Sequence, residues 1–220
     1  MVGFDDFSLP LVIDASSTNV QLGIPQQNDW LILEESNSLA MQGIFESFHQ
    51  IFEKIDRNLQ EVDALLYCAG PGSTLGLRIA ATFCRTILWN SNHQVKLFDY
   101  NALDLAALLA KQPERPIQAP FRAKRRLVRL PTDSPFGKIE IIEAEDTATA
   151  YPDSLHLPDN RPFKQEIPED KLIDYKLCNI AGLSDLHKIC TPKETAIPTL
   201  PKKWSSRNGT VKSPPASRFF

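Results

Sequence analysis

The sequence predicts an α/β protein in which one mixed sheet with crossover helices is followed by a smaller second lobe. Short apolar runs alternate with segments of helical period over residues 1–110. Of the 17 prolines, 14 fall after position 110, and the net charge of −3 divides into −8 for residues 1–110 and +5 for 111–220. The two halves therefore differ in character. A basic second half suits an anionic partner, although a basic tail without a ligand explains the same charge.

The first elements predict an antiparallel meander of three strands. Residues 9–13 form an apolar run that ends at Asp14, which is typical of a buried strand with a carboxylate at its C-terminal end. A polar turn follows over 15–19, and residues 20–24 and 30–33 alternate as strands do.

The period then changes to that of helices separated by apolar strands. Apolar residues at helical spacing predict a helix over 38–58 with Ser38 as its N-cap. Residues 62–68 predict a buried parallel strand, and a glycine-rich loop leads into a helix that ends near Asn90. A strand at 95–98 and a helix over 102–109 complete the order β-β-β-α-β-α-β-α. This order is typical of the ribonuclease-H-like half of actin-like ATPases, a fold with many functions.

The second half gives weaker signals. Residues 111–120 read as a linker between a lobe at 1–110 and a small, degenerate lobe at 121–191. Candidate strands in that lobe are 127–130, 139–142 and 175–180, with a short helix at 184–189. The Pro-rich, basic segment 192–220 is expected to be poorly ordered unless a partner or a neighbouring surface holds it.

Several classes of protein are disfavoured. No apolar run approaches the 18 or so residues of a membrane span, and acids stand where a signal peptide needs bases. The cysteines, which form no CxxC pair, predict reduced thiols in a cytoplasmic protein: Cys68, Cys84, Cys178 and Cys190. The four histidines show no metal-ligand spacing, so no metal site is predicted.

The glycine-rich loop after the second apolar strand is the first candidate for chemistry. Gly70 and Gly72 permit positive φ and close backbone approach, while Ser73 or Thr74 can cap the next helix and leave amides for a phosphate. Arg78 would add a charged contact. A tight turn in which Arg78 pairs with an acid explains the same residues and is favoured by composition, and the spacing is not that of a Walker loop.

Asp14 and the neighbouring hydroxyls are the second candidate. A strand-end carboxylate beside Ser16 and Ser17 could hold hydrated Mg²⁺ and a phosphate. A capped turn with a solvated Asp14 is favoured, because no second strand-end acid pairs with it. The candidate phosphate- or nucleotide-binding residues are Asp14, Ser16, Ser17, Gly70, Gly72, Ser73, Thr74, Gly76 and Arg78.

Two segments resemble the TsaB (YeaZ-type) family. Residues 11–23, LVIDASSTNVQLG, resemble its opening, in which I-D-T-[SA]-T precedes a hairpin. Residues 62–80, VDALLYCAGPGSTLGLRIA, resemble its strand followed by G-P-G-S-F-T-G-[LV]-R-I-G, and the spacing between the segments fits. Residues 196–204 echo the closing P-x-Y-x-R-x-x-x-x-W-x-K region. The resemblance covers residues 9–110 best.

This resemblance implies an actin-like fold and a role in threonylcarbamoyl modification of the tRNA adenosine next to the anticodon. The family member is a non-catalytic scaffold for a TsaD-like paralogue, which a TsaE-like ATPase joins, so tRNA is met indirectly. No tightly bound cofactor is expected, and ATP with Mg²⁺ at a partner interface stays open. Packing of the small residues on their own sheet is the alternative to the implied helix interface, whose residues are Met41, Ile44, Phe45, Phe48, Gly76, Ala80 and Phe83.

Departures from the family pattern argue against ATP hydrolysis. Leu75 replaces a threonine, bases at 121–126 replace the D-A-R motif, and residues 38–41 lack a histidine. A basic cluster could meet tRNA phosphates, although a solvated, charged strand edge is favoured: Arg122, Lys124, Arg125, Arg126 and Arg129. Two other functions stay open. One is a nucleotide-dependent kinase or ATPase centred on Asp14 and the loop, and the other is a homodimer through the same helices.

Overall fold

A computed structural model describes residues 4–91, 94–122, 124–158 and 167–198, without the side chains of residues 5 and 122. Most of the segment predicted to be a poorly ordered tail, residues 199–220, lies outside this part of the chain.

The first half of the chain follows the predicted order of elements. Residues 102–109 form the predicted helix with unchanged limits, because the Asn101 side chain caps it by accepting a hydrogen bond from Leu103 N. The elements are β1 (Pro10–Asp14), β2 (Val20–Gln26), β3 (Asp29–Ser36), α1 (Ala40–Ile55), β4 (Ala64–Gly70), α2 (Thr74–Asn90), β5 (Lys96–Asn101) and α3 (Ala102–Leu109).

The second half contains shorter elements, and two short 3-10 helices lie among them. They are β6 (Ile117–Arg122), β7 (Arg125–Leu130), β8 (Lys138–Glu143), α4 (Thr147–Ala150), β9 (Leu155–His156), α5 (Leu183–Lys188) and β10 (Thr191–Lys193). β6 to β9 form a four-stranded sheet in the order β8-β7-β6-β9.

The first sheet is mixed, as predicted. Its order is β10-β5-β4-β1-β2-β3, with β1, β2 and β3 antiparallel and β1, β4 and β5 parallel. The carboxyl ends of parallel strands meet at one edge of a sheet. Asp14, Gly70 and Asn101, which end the three parallel strands, therefore lie at the same edge.

Both faces of the first sheet are covered, which explains the continuous apolar runs of its central strands. Ile13 and Leu65 pack with the helices α1 and α2 on one face. Val12 and Leu66 pack on the other face with α3, the second sheet and the segment 173–189. Cys68 and Cys84 are buried free thiols within these two clusters.

Two predicted limits are wrong. Residues 117–120, assigned to a linker, begin β6, and their Ile117 and Ala119 are buried. Pro120 is tolerated in this strand because β9 pairs only with residues 117 and 118 and needs no amide beyond them. Ser38 does not cap α1, since its hydroxyl donates to Glu46 and the capping position is Leu39.

The segment after residue 172 packs on the first sheet. The predicted strand at 175–180 is instead a 3-10 helix, Leu177–Asn179, whose backbone is bound by side chains of the first sheet. Gln21 accepts from Leu177 N at 2.7 Å, and Trp30 donates to Leu177 O at 3.3 Å. Residues 191–193 pair with β5, so they extend the first sheet instead of the second. Within the described ranges, no helix combines the length and apolar character needed to cross a bilayer.

Candidate functional site

A cavity of about 300 Å³ opens at the carboxyl edge of the first sheet. One wall is rich in hydroxyls from the β1–β2 turn and from the loop before α2. The other wall is apolar and comes from β6 and from residues 157 and 158. The described lining is Ser16, Ser17, Pro71, Gly72, Ser73, Thr74, Ala119, Pro120, Phe121, Leu157, Pro158 and Tyr175.

Asp14 is fully buried at this edge and is not one of the lining residues. Its Oδ1 accepts hydrogen bonds from Ser16 N at 2.8 Å and Ser16 Oγ at 2.6 Å. Its Oδ2 accepts from the hydroxyls of Tyr100 and Tyr175, both at 2.9 Å. The expected solvated carboxylate is therefore wrong, because four protein donors take the place of water or a hydrated cation.

The groups around Asp14 are held in their neutral forms. Burial, and then the negative charge of Asp14, raise the pKa of the Tyr100 and Tyr175 hydroxyls well above the ordinary range. The same two causes raise the pKa of the Cys68 thiol, which lies 3.8 Å from the Tyr175 hydroxyl. A thiol that stays protonated is a poor nucleophile, so Cys68 serves packing.

The loop glycines let two backbone segments meet. A Cβ at Gly72 would stand 2.2 Å from Ser16 O, and one at Gly76 would stand 2.0 Å from Ala15 O. Ser73 N donates to Ser16 O at 2.7 Å and closes this contact. Gly70 alone among these glycines has a positive φ, 112°. Gly72 and Gly76 therefore allow the loop before α2 to pack directly against the backbone of the β1–β2 turn.

The start of α2 offers backbone amides to an anion, but Arg78 does not reach the cavity beside them. Ser73 caps the helix as predicted, because its hydroxyl accepts from Gly76 N at 3.2 Å. The amides of Thr74 and Leu75 have no acceptor among the described residues. Arg78 is exposed, does not line the cavity and forms no ion pair within the described ranges. The predicted residues that line the cavity are Ser16, Ser17, Gly72, Ser73 and Thr74.

We expect Gly76→Ala to lower the free energy of unfolding by about 2 kcal/mol, because the added methyl group meets backbone that cannot turn away. Urea denaturation measures the change. Gly182→Ala is the matched control, since its methyl group would meet only the end of the Asn28 side chain, at 3.1 Å. An equal effect of the two substitutions would contradict the close-approach role of Gly76.

A second feature is an exposed apolar surface on the two long helices, here called the α1/α2 face. Met41, Phe45 and Leu75 are 61%, 56% and 63% exposed. The Phe83 ring meets those of Phe45 and Phe48 edge-on, at centroid distances of 5.7 and 5.4 Å. The face consists of Met41, Phe45, Phe48, Leu75, Ile79 and Phe83.

Three of the residues predicted for this interface are inaccessible. Ile44 and Ala80 are fully buried against the first sheet, and Gly76 lies against Ala15 O. The small residues of α2 thus bring the helix onto its own sheet. Leu75 was not among the predicted interface residues, although its spacing of four from Ile79 and of eight from Phe83 places it on their side of the helix.

The predicted basic cluster does not form one surface. Arg126 and Arg129 are buried, and Arg129 Nε lies 2.7 Å from Asp104 Oδ1. Arg125 is exposed and pairs with Glu143 at 2.7 Å, and Lys124 is exposed beside it. The Arg122 side chain lies outside the described part of the chain. The alternation of β7 turns Arg126 to the face opposite Arg125 and Arg129, and Arg129 is buried further along the strand against Asp104.

Carboxylates, histidines and cysteines are the side chains that hold metal ions, and a site needs several of them together. Among the described residues, no group of three or more of them is placed to hold a metal ion. Burial, followed by the charges of Arg126 and Lys171, lowers the pKa of His156 to about 4, so this imidazole is neutral at neutral pH.

Comparison with known proteins gives a match to one family model over part of the chain, and the similar solved structures include two from Pseudomonas aeruginosa. Residues 40–145, from α1 to just beyond β8, match the family model of TsaD, the tRNA N6-adenosine threonylcarbamoyltransferase. A Pseudomonas aeruginosa protein with similarity to peptidase YeaZ superposes with a TM-score of 0.59 and 16% identity over 88% of this chain and 99% of that one. YeaZ from the same organism gives 0.60 and 15%, with the same coverage. No curated protein matches the sequence.

The two superpositions span nearly all of each solved chain. Together with the mixed sheet and its crossover helices, they establish the fold. This chain therefore shares the α/β fold of the YeaZ structure, with two sheets and crossover helices.

Proposed function

We propose that this chain is a non-catalytic scaffold for a TsaD-like protein in threonylcarbamoyl modification of the tRNA adenosine next to the anticodon. The main support for this proposal is the exposed α1/α2 face. It occurs on a chain whose fold matches that of YeaZ over 88% of its length. The match of residues 40–145 to the TsaD model supports the same pathway of tRNA modification.

The α1/α2 face has the chemistry of a protein interface. Aromatic residues and methionine are enriched at such interfaces, and contiguous apolar surface is costly to leave in water. The edge-on contacts of Phe83 with Phe45 and Phe48 hold the rings before a partner arrives, so little side-chain entropy is lost on binding.

The state of Asp14 supports a scaffold over a kinase or ATPase. A cation site needs a carboxylate with free lone pairs towards the ligand. Both oxygens of Asp14 are already bonded twice, and the carboxylate is sealed from the cavity. For a kinase or ATPase to bind a cation at Asp14, the hydroxyls of Tyr100 and Tyr175 would both have to move away from its Oδ2.

The rest of the assembly follows from the scaffold proposal. A TsaE-like ATPase would join through the TsaD-like partner, in the cytoplasm, and tRNA would be modified on that partner. ATP with Mg²⁺ at the interface between the two proteins is compatible with the hydroxyl-lined cavity. In the absence of its partner, the α1/α2 face can bind a second copy of this chain.

We expect Phe45→Asp to weaken binding to a TsaD-type protein from the same genome about 100-fold, since it places a charge at the centre of an apolar contact. Calorimetric titration of the two purified proteins measures the affinity. Ile141→Asp on β8 is the matched control, because Ile141 has the same 56% exposure and lies on the second sheet.

The scaffold proposal fails if the unmodified chain forms no complex with that protein at micromolar concentration. A homodimer that Phe45→Asp separates and that the TsaD-type protein does not displace would instead assign the face to self-association. Light scattering with and without the partner distinguishes these two outcomes.

A further inference from the structure

Charged side chains border the α1/α2 face along both of its long sides. Glu46 and Glu53 are exposed on α1, and Arg78 and Arg85 are exposed on α2. The members of each pair are seven residues apart, which is about two helical turns, so each pair lies on one stripe of its helix. The two acids are called the α1 border and the two arginines the α2 border.

The two borders lie on opposite sides of the apolar residues. The Phe83 ring points from α2 towards α1, because it contacts the rings of Phe45 and Phe48. At 3.6 residues per turn, both residues of the α2 border are more than a third of a turn around α2 from Phe83. Both residues of the α1 border are equally far around α1 from Phe48. Since all four are exposed, each border lies on the side of its helix that faces away from the other helix.

The α2 border is positive, and its charge is not compensated within the helix. The sequence of α2 contains no Asp or Glu, and neither arginine forms an ion pair within the described ranges. Arg85 Nη2 donates to the Thr82 hydroxyl at 3.2 Å, and this partner is neutral. Both guanidinium groups are therefore available to acidic side chains of another protein.

The α1 border is negative for a corresponding reason. Glu46 accepts hydrogen bonds from Gln42 Nε2 at 2.7 Å and from Ser38 Oγ at 2.9 Å, both neutral donors. These bonds, that of Gln42 first, lower the pKa of the Glu46 carboxyl, so it stays ionised. Glu53 Oε1 lies 3.2 Å from His49 Nε2, and it pairs with no Lys or Arg among the residues that the structure describes.

The α1/α2 face is therefore polarised, with acids along α1 and bases along α2. Lys54, the one Lys or Arg of α1, does not offset the acids because it pairs with Glu34 on β3 at 2.6 Å. The apolar residues alone define the docking of a second helix pair poorly, since both helices present similar apolar side chains. Like charges that face one another oppose binding, so the borders distinguish one way of docking from the reverse.

A TsaD-type protein has counterparts of both helices. The match to its family model begins at residue 40, where α1 begins, and continues through α2 to residue 145. A partner with an equivalent pair of helices can lie on the face in two ways, with its first helix over α1 or over α2. The choice between them is the property that a polarised face can control.

We propose that the two borders fix the orientation of the TsaD-like partner, with a basic side of its helix pair opposite Glu46 and Glu53 and an acidic side opposite Arg78 and Arg85. This inference rests on the proposed scaffold function and adds the residues that determine specificity. Attraction between opposite charges speeds association in this orientation, and like-charge contact disfavours the reverse one.

Surface plasmon resonance with a TsaD-type protein from the same genome, over a range of salt concentrations, tests the proposal. Arg78→Glu with Arg85→Glu should slow association about tenfold, and so should Glu46→Arg with Glu53→Arg. Association of the unmodified chain should slow as salt rises, because salt screens the attraction. All four side chains are exposed, so the substitutions leave the core unchanged.

The most informative variant combines all four substitutions and is called the exchanged variant. Its net charge stays at −3, because two acids become bases and two bases become acids. It should associate about 100-fold more slowly than the unmodified chain. Its association should become faster as salt rises, because like charges then face one another and salt screens their repulsion.

Lys124→Glu with Arg125→Glu is the matched control. It changes the net charge as much as reversal of the α2 border does, but on the exposed β6–β7 hairpin. It should change the association rate by less than about twofold, because distant surface charges are screened. The proposal is overturned if reversal of the α2 border has no larger effect than this control, or if the exchanged variant binds as the unmodified chain does.

The orientation proposal and the scaffold proposal fail in different ways. If every charge variant binds the partner as the unmodified chain does, the scaffold proposal stands and the orientation proposal is rejected. Both are rejected if the unmodified chain does not bind the partner and instead forms a homodimer that reversal of one border separates and the exchanged variant restores. That result, measured by light scattering, would assign the borders to self-pairing, because the exchange keeps them complementary to each other.

Discussion

Asp14→Ala is expected to lower the free energy of unfolding by about 4 kcal/mol, one of the largest effects of any single substitution in this chain. Removal of the carboxylate leaves the buried hydroxyls of Tyr100, Tyr175 and Ser16 without their acceptor. Each unsatisfied buried donor costs about 1–3 kcal/mol, and partial rearrangement keeps the total below the sum. Urea denaturation followed by circular dichroism measures the loss.

Ser17→Ala is the control for Asp14→Ala. Ser17 is partly exposed, and its hydroxyl bonds only within the same turn, to Asn19 O at 2.9 Å, so a loss of about 0.5 kcal/mol is expected. Asp14→Leu combined with Tyr100→Phe and Tyr175→Phe should recover part of the stability, because two of the four donors then leave together with their acceptor. A loss of under 1 kcal/mol for Asp14→Ala would show that the carboxylate is not the acceptor of this network.

The partners of Asp14 explain why its role could not be predicted from the sequence. Its strand-end position is visible in the apolar run that precedes it, and the fold places it as expected. The two tyrosines that cover it lie 86 and 161 residues further along the chain. Nothing local to position 14 distinguishes a carboxylate bonded to tyrosines from one that holds a hydrated cation.

The elements of residues 1–110 could be predicted because each has a clear period and a boundary residue. Ser73 and Asn101 both act as helix caps, and the sequence marks both places with a change of pattern. After residue 110 the two α-helices of the described chain have only four and six residues, and β9 and β10 have only two and three. Their order depends on packing against the first sheet, as the hydrogen bonds of Gln21 with Tyr175 O and Leu177 N show.

The two predicted surfaces differ in how far a sequence pattern can locate them. Of the residues that helical spacing predicted for an interface, Met41, Phe45, Phe48 and Phe83 are exposed or partly exposed. The neighbouring Ile44 is buried, because the border between the exposed and buried sides of α1 depends on how the helix packs on its sheet. The density of bases at 122–129 gave no sign that β7 turns Arg129 inward. The acid that pairs with Arg129 is Asp104, which lies 25 residues earlier in the chain, on the helix α3 that covers the first sheet.

We expect Asp104→Ala to lower the free energy of unfolding by about 3–5 kcal/mol, the range for breaking a buried ion pair. Both side chains are nearly inaccessible, at 5% and 7% exposure. Asp104 Oδ1 accepts from Arg129 Nε at 2.7 Å and from Gly137 N at 2.9 Å, so its loss strands a buried guanidinium and a backbone amide. Thermal and urea denaturation measure the change.

The Asp104–Arg129 pair also joins α3, which covers the first sheet, to β7 in the second sheet. Glu143→Ala breaks the exposed pair with Arg125 and is the control, with an expected loss of under about 0.5 kcal/mol. Asp104→Leu with Arg129→Met should restore most of the stability, because an apolar pair has no desolvation cost to recover. If the double variant is as unstable as Asp104→Ala, the stranded guanidinium of Arg129 is not the cause of the loss, because the double variant no longer contains it. Recovery would mean that burial of apolar surface, and not the charge pair itself, holds the second sheet against α3.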